Sequence, residues 1–260
     1  MKKRDLIITG ALSLIIGFMY IFGLPLGLIP VTVMDIDAGC IPNFLNVMLC
    51  LLLIYTTIKV CRVGIRFGLT KDGLSEGIKN TLPIGLFYIL GYLVANTINS
   101  LPLGNTPSLV RILVETVITV FFAAFLEEVL LRGLVLNLFA QLFKRSKHAV
   151  LISVVISSAF FAIGHVPSVI NEGLLMCLFR FAYPFFMGVL FGAIYKKYGN
   201  LWIPVIYHFV LNCLSMMVML FGILPIGTVK PVTMVIIMII SIVGGVYGII
   251  SAVHQDRKCS

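Results

Sequence analysis

Residues 121–136 read FFAAFLEEVLLRGLVL. Glu127, Glu128 and Arg132 sit in a run that is otherwise apolar. A helix that is hydrophobic nearly all round has no face to turn to water, so it belongs in a protein core or a bilayer. The whole apolar run, 109–139, exceeds the roughly 20 residues needed to cross the hydrocarbon. This stretch points to an all-α fold, a polytopic membrane helix bundle. It also poses the functional question, because ionisable groups at membrane depth are rare and mark sites.

The rest of the chain agrees. Of its 260 residues, 60% are hydrophobic and 11% charged, and the mean hydropathy is +1.12. Soluble domains run at about 45–50% apolar and about 25% charged. A soluble enzyme, a disordered tail and a nucleic-acid-binding domain are thereby excluded. The net charge of +9 on so apolar a chain reads as cytoplasmic loops, not as nucleic-acid affinity.

Eight apolar stretches are long enough to be spans: 6–29, 42–61, 82–99, 109–139, 149–166, 173–195, 201–222 and 231–253. The fourth is too long for a simple crossing and is expected to tilt or run along the interface. Lys2, Lys3 and Arg4 precede the first span, and Lys59, Arg62, Arg66, Lys71 and Lys79 follow the second. Lys144, Arg145 and Lys147 follow the fourth, Lys196 and Lys197 the sixth, and Arg257 and Lys258 the eighth. The alternate connections carry little positive charge: Asp35 and Asp37, then none, then Glu172, then Lys230. The positive-inside bias therefore predicts eight crossings of a cell membrane with both termini cytoplasmic. The first span is read as uncleaved: it is longer than a signal h-region and lacks an A-x-A-like site. Asp37-Ala-Gly-Cys40 only superficially resembles a lipoprotein box.

The six cysteines, Cys40, Cys50, Cys61, Cys177, Cys213 and Cys259, show neither a CxxC pair nor metal spacing. Most sit in apolar spans and read as packing residues. No phosphate loop, HExxH or GxSxG is present.

Three places break the apolar pattern: Glu127-Glu128-Val-Leu-Leu-Arg132, Phe161-Ala-Ile-Gly-His165 and His208-Phe-Val-Leu-Asn212. Glu128 and Arg132 lie four apart, on one helix face, where they can neutralise each other. Glu127 lies about 100° round the helix with no obvious partner on it. It is a candidate general base, able to take a proton from water; all three residues could equally form a structural ion cluster. His208 and Asn212 share a face and could stabilise an oxyanion, or simply bond between helices. Phe161 and His165 share a face near a helix end marked by Gly164 and Pro167. Arg111 and Glu115 form a further pair, most simply a salt bridge. Arg180 either complements the acidic pair or lines an access path. Gly188 and Gly192 form a GxxxG that allows close helix packing. His148, His254 and Glu76 read as solvated.

Taken together and in order, EExxxR, FxxxH and HxxxN on successive membrane helices resemble the CAAX protease and bacteriocin-processing family, also called Abi, which includes the type II CAAX prenyl endopeptidases. The resemblance covers roughly 115–222, with Phe185, Phe186, Gly188 and Gly192 similar to the family's Phe/Gly-rich segment. It implies an intramembrane endopeptidase with Glu127 as catalytic glutamate and Glu128 supporting. Arg132 would orient the acidic pair, His165 and His208 would be the site histidines, and Asn212 would stabilise the oxyanion. The implied organisation is 1–108 as three N-terminal helices, 109–222 as catalytic core and 223–260 as last helix and tail.

The implied partners are the lipid bilayer and a membrane-associated peptide or protein, with no nucleic acid. A metal is an open point. Glu127, His165 and His208 are the ligand types of some zinc peptidases, while a glutamate mechanism needs no cofactor and is the favoured expectation. Two other classes compete: a non-catalytic bacteriocin self-immunity or scaffold protein of the same fold, and a small transporter. The lack of an inverted repeat counts against the latter.

One strain accompanies this reading. On straight helices, Glu127 and His165 lie on the order of 25 Å from their cytoplasmic ends, but His208 lies only about 10 Å in. Convergence would require the fourth span to bend or end early, or the seventh to begin before Leu201.

Overall fold

The computed structural model describes residues 3–22, 40–60, 67–99, 113, 116–220 and 229–259. Eight helices form among these, one for each expected apolar stretch: α1 (Lys3–Phe22), α2 (Cys40–Val60), α3 (Leu74–Ile98), α4 (116–142), α5 (Ala149–His165), α6 (Leu174–Tyr198), α7 (Trp202–Leu220) and α8 (Pro231–Cys259). No strand occurs among the described residues. By length and composition, Leu74–Ile98, Ala149–Val169, Leu174–Tyr198 and Pro231–Lys258 can each cross a membrane. Shorter apolar helices lie at Ile8–Gly17, Phe44–Lys59 and Trp202–Ser215. The fold is a helical membrane bundle. The Arg111–Glu115 pair and the Asp35–Asp37 connection lie outside the described residues.

The third helix begins well before the expected residue 82. Ser75, Glu76, Lys79 and Asn80 make its first turns polar, and Pro83 lies inside it.

Helix α6 is the centre of the bundle. Every residue from Met187 to Tyr195 is buried, against α5 on one side and α8 on another. Its antiparallel pairing with α5 is close. A Cβ on Gly188 would come within 3.0 Å of Ser158 Cβ, and one on Gly192 within 3.3 Å of Val154. The expected GxxxG contact is therefore present, with α5 as its partner.

Helix α4 explains the long fourth span. An α-helical segment, Phe122–Glu128, is flanked by wider π-helical turns at Thr116–Phe121 and Val129–Leu136, before Asn137–Leu142 returns to α geometry. π turns disturb the usual i−4 hydrogen bonding and often occur at functional sites. Here, side chains satisfy carbonyls in the turn around Arg132. Ser157 Oγ on α5 donates to the Leu131 carbonyl at 2.8 Å. Asn137 Nδ2 donates to the Gly133 carbonyl at 2.9 Å and to the Tyr195 hydroxyl at 2.8 Å.

Helix α7 starts from a buried turn. Asn200 and Leu201 are fully buried. Asn200 Nδ2 donates to the carbonyls of Thr70 and Asp72, and its Oδ1 accepts from the Trp202 N–H, capping the helix. The Leu201 N–H donates to the Gly68 carbonyl at 3.2 Å. Gly68 has φ +69°, and a Cβ there would run into the Gly199 carbonyl, so only glycine suits the position. Convergence at the site thus needs neither an early end to α4 nor an earlier start to α7, which begins at Trp202. It accompanies π winding in parts of α4 and an α7 that leaves a turn already inside the protein, where Asn200 and Leu201 are buried.

Candidate active site

Three helices bring the motifs together. Phe125 of α4 stacks on Trp202 of α7 at 5.7 Å between centroids, and Phe121 meets Phe209 edge-on at 5.6 Å. These contacts hold α7 alongside α4 so that His208 faces the two glutamates.

Glu128 is the hub. It is completely buried, as are Arg132 and His208 to within 1%. Its Oε1 accepts from Arg132 Nη1 at 2.9 Å and from His208 Nδ1 at 2.8 Å. Its Oε2 is buried without a hydrogen-bond partner among the described residues. Glu127 is 19% exposed, and its Oε2 stands 3.6 Å from His208 Nε2. The two glutamates therefore address opposite nitrogens of one imidazole. A carboxylate can only accept, so the Glu128 contact places a proton on Nδ1. Nε2 is then the nitrogen free to exchange a proton. At 3.6 Å, its separation from Glu127 is longer than a direct hydrogen bond.

Aromatic rings enclose the cluster. The Arg132 guanidinium lies 4.6 Å from the Phe161 ring centre and 5.8 Å from that of Phe191, within the range of cation–π attraction. Arg132 Nη2 also reaches the Gly188 carbonyl at 3.5 Å. Phe161 meets His165 edge-on at 4.6 Å and His208 at 5.6 Å. It is thus the shared wall of the FxxxH and HxxxN motifs. Electrostatic interactions strengthen in such a dry setting.

His165 is half-buried at the end of α5, with its Nδ1 2.9 Å from the Phe161 carbonyl. A carbonyl only accepts, so this contact also fixes the proton on Nδ1 and leaves the Nε2 lone pair available. Asn212 is half-buried, one turn beyond His208; among the described residues no protein group is bonded to its amide. Glu128, Arg132 and His208 are thus joined by hydrogen bonds, Glu127 faces His208 Nε2, and His165 joins them through Phe161. Arg180 donates to the Tyr183 hydroxyl at 3.0 Å. Phe191 and the Gly188 carbonyl are additional members. The Phe/Gly-rich segment was their only trace in the sequence.

A zinc ion on Glu127, His165 and His208 would need donors converging at about 2.0–2.2 Å. Among the described residues, no three His, Cys, Asp or Glu side chains form a group that could hold a metal. As arranged, the residues do not fit the ion. The other polar candidates are remote: His148, His254 and Glu76 are exposed. Cys50 is buried, Cys177 and Cys213 are half-buried, and all three are unbridged.

A family model described as type II CAAX prenyl endopeptidase, Rce1-like, matches residues 109–214. The segment contains α4 to α6, their connections and the first two-thirds of α7, and with them every residue of the cluster. No curated protein matches the chain significantly.

Proposed function

From the match of residues 109–214 to an Rce1-like type II CAAX prenyl endopeptidase family model, we propose that this protein is an intramembrane endopeptidase that hydrolyses a peptide bond in a membrane-associated protein or peptide. The observation that carries the proposal is the double address of His208: Nδ1 bonded to buried Glu128, Nε2 facing Glu127. A purely structural ion cluster is complete with Glu128 and Arg132. A second carboxylate, partly open to solvent and aimed at the exchangeable nitrogen, is what proton transfer requires.

In this reading Glu127 takes a proton from water while the water oxygen attacks the scissile carbonyl carbon. His165 Nε2, with its other nitrogen tied to Phe161, aims the water. The proton passes from Glu127 to His208 Nε2, and the resulting N–H, with the Asn212 amide, donates to the oxyanion. Collapse of the tetrahedral intermediate breaks the C–N bond, and the same proton goes to the departing amine. Glu128 and Arg132 are positioning residues, holding His208 in its orientation and tautomer. Written this way, the reaction needs no metal. We assign 109–222 as the catalytic core, with eight crossings and both termini cytoplasmic by the charge bias.

The test is digestion of membrane-anchored peptides by the full chain in proteoliposomes, with products identified by mass spectrometry. The panel includes peptides with and without a prenylated C-terminal CAAX box. Cleavage that persists after chelation and metal analysis supports the reading. Absence of any product from a folded preparation counts against it, and a metal-dependent rate overturns the metal-free chemistry.

A further inference from the structure

A cavity that none of the cluster residues lines opens where α6 and α8 end and α3 and α5 begin. Its volume is about 790 Å³. Lys196, Lys197, His254 and Lys258 line it, with Glu76 as the single carboxylate among the lining residues. Its cationic character is thus built from two helix ends. The Lys197 ammonium is held 5.1 Å from the centre of the Tyr198 ring, which also lines the cavity. The catalytic reading makes no use of any of these groups.

The mouth continues onto an apolar strip. Tyr247 and Ile250 line the cavity and are also exposed. Val243 and Val246, on the same face of α8, are exposed as well. The spacing 243, 246, 247, 250 keeps one stripe facing outward along the helix. A ligand filling both parts must be anionic at one end and apolar at the other.

We infer that this cavity binds the headgroup of an acidic phospholipid, whose acyl chains lie along Val243, Val246 and Ile250 of α8. Basic pockets between membrane helices are suited to phosphate headgroups, and neighbouring lysines strengthen the attraction. A free phosphate could use the lysines but would leave the strip bare, so the continuity of the two favours the lipid.

The test is native mass spectrometry of the full chain in detergent with phosphatidylglycerol or phosphatidylcholine at equal concentration. Phosphatidylglycerol adducts should exceed phosphatidylcholine adducts by on the order of tenfold. The double variant Lys197→Glu/Lys258→Glu should fall to the phosphatidylcholine level. The matched variant Lys144→Glu/Arg145→Glu, with the same charge change outside the cavity, should retain the wild-type preference. If Lys197→Glu/Lys258→Glu does not fold, Lys197→Gln/Lys258→Gln replaces it, with the same fall expected. Equal loss in the matched variant would mean diffuse charge and overturn the site. Full retention by the cavity variant would overturn it too. Displacement of phosphatidylglycerol by an equal concentration of inorganic phosphate would identify a free-anion site instead of a lipid site.

Discussion

Two buried carboxylates of this protein are satisfied in opposite ways. Glu128, in the middle of α4, is bonded to the side chains of Arg132 and His208. Asp256, near the end of α8 and 5% exposed, accepts the backbone N–H groups of Val150 and Leu151 at 2.8 and 3.0 Å. It thereby caps α5 from another helix. A backbone amide cannot change its protonation state, so the Asp256 arrangement can fix a helix and little else. An imidazole can change, and its second nitrogen faces a second carboxylate. The comparison teaches that burial alone does not mark a proton-transfer site; the titratability of the partner does.

Three substitutions can break or sharpen that contrast. The largest effect is expected from Arg132→Met. It leaves Glu128 buried without its guanidinium, and removing one partner of a buried pair costs about 3–5 kcal/mol. Thermal or denaturant unfolding in detergent should show a loss of that size. A loss below about 1 kcal/mol would mean that Glu128 is not held as a charge. Asp256→Ala comes next. It removes the cap of α5 and should cost about 1–2 kcal/mol. Cleavage per folded molecule should stay unchanged; a specific loss of turnover would make Asp256 more than a cap. Ser157→Ala is the smallest, at roughly 0.5–1.5 kcal/mol for the hydrogen bond to the π-helical Leu131 carbonyl. A calorimetric midpoint at the wild-type value would show that the wide turn does not depend on it.

The same two carboxylates mark what could be read in advance. Glu128 was legible because Arg132 lies four residues along a helix and because any charge in residues 121–136 stands out. The His208 motif was legible for the same reason, and so were the eight apolar helices. Asp256 was not legible, since its partners are main-chain amides more than 100 residues away and carry no residue signature. The pairing of Glu127 with His208 Nε2 was hidden because it joins α4 to α7. The π turns escaped notice because Ser157 and Tyr195 reach the wide turn, or its own Asn137, from other helices. A depth count on straight helices set Glu127 and His208 far apart, whereas Glu127 Oε2 stands 3.6 Å from His208 Nε2. The start of α3 was missed because polar side chains fill its first turns.

The central claim is that Glu127 moves a proton whereas the rest of the cluster holds His208 in place. The direct measurement is the single-turnover cleavage rate of Glu127→Gln in proteoliposomes, with its thermal midpoint recorded on the same preparation. General-base catalysis contributes about 10²–10⁴-fold, so the rate should fall by a factor in that range while the midpoint stays at the wild-type value. A folded Glu127→Gln protein that cleaves at the wild-type rate would contradict the account.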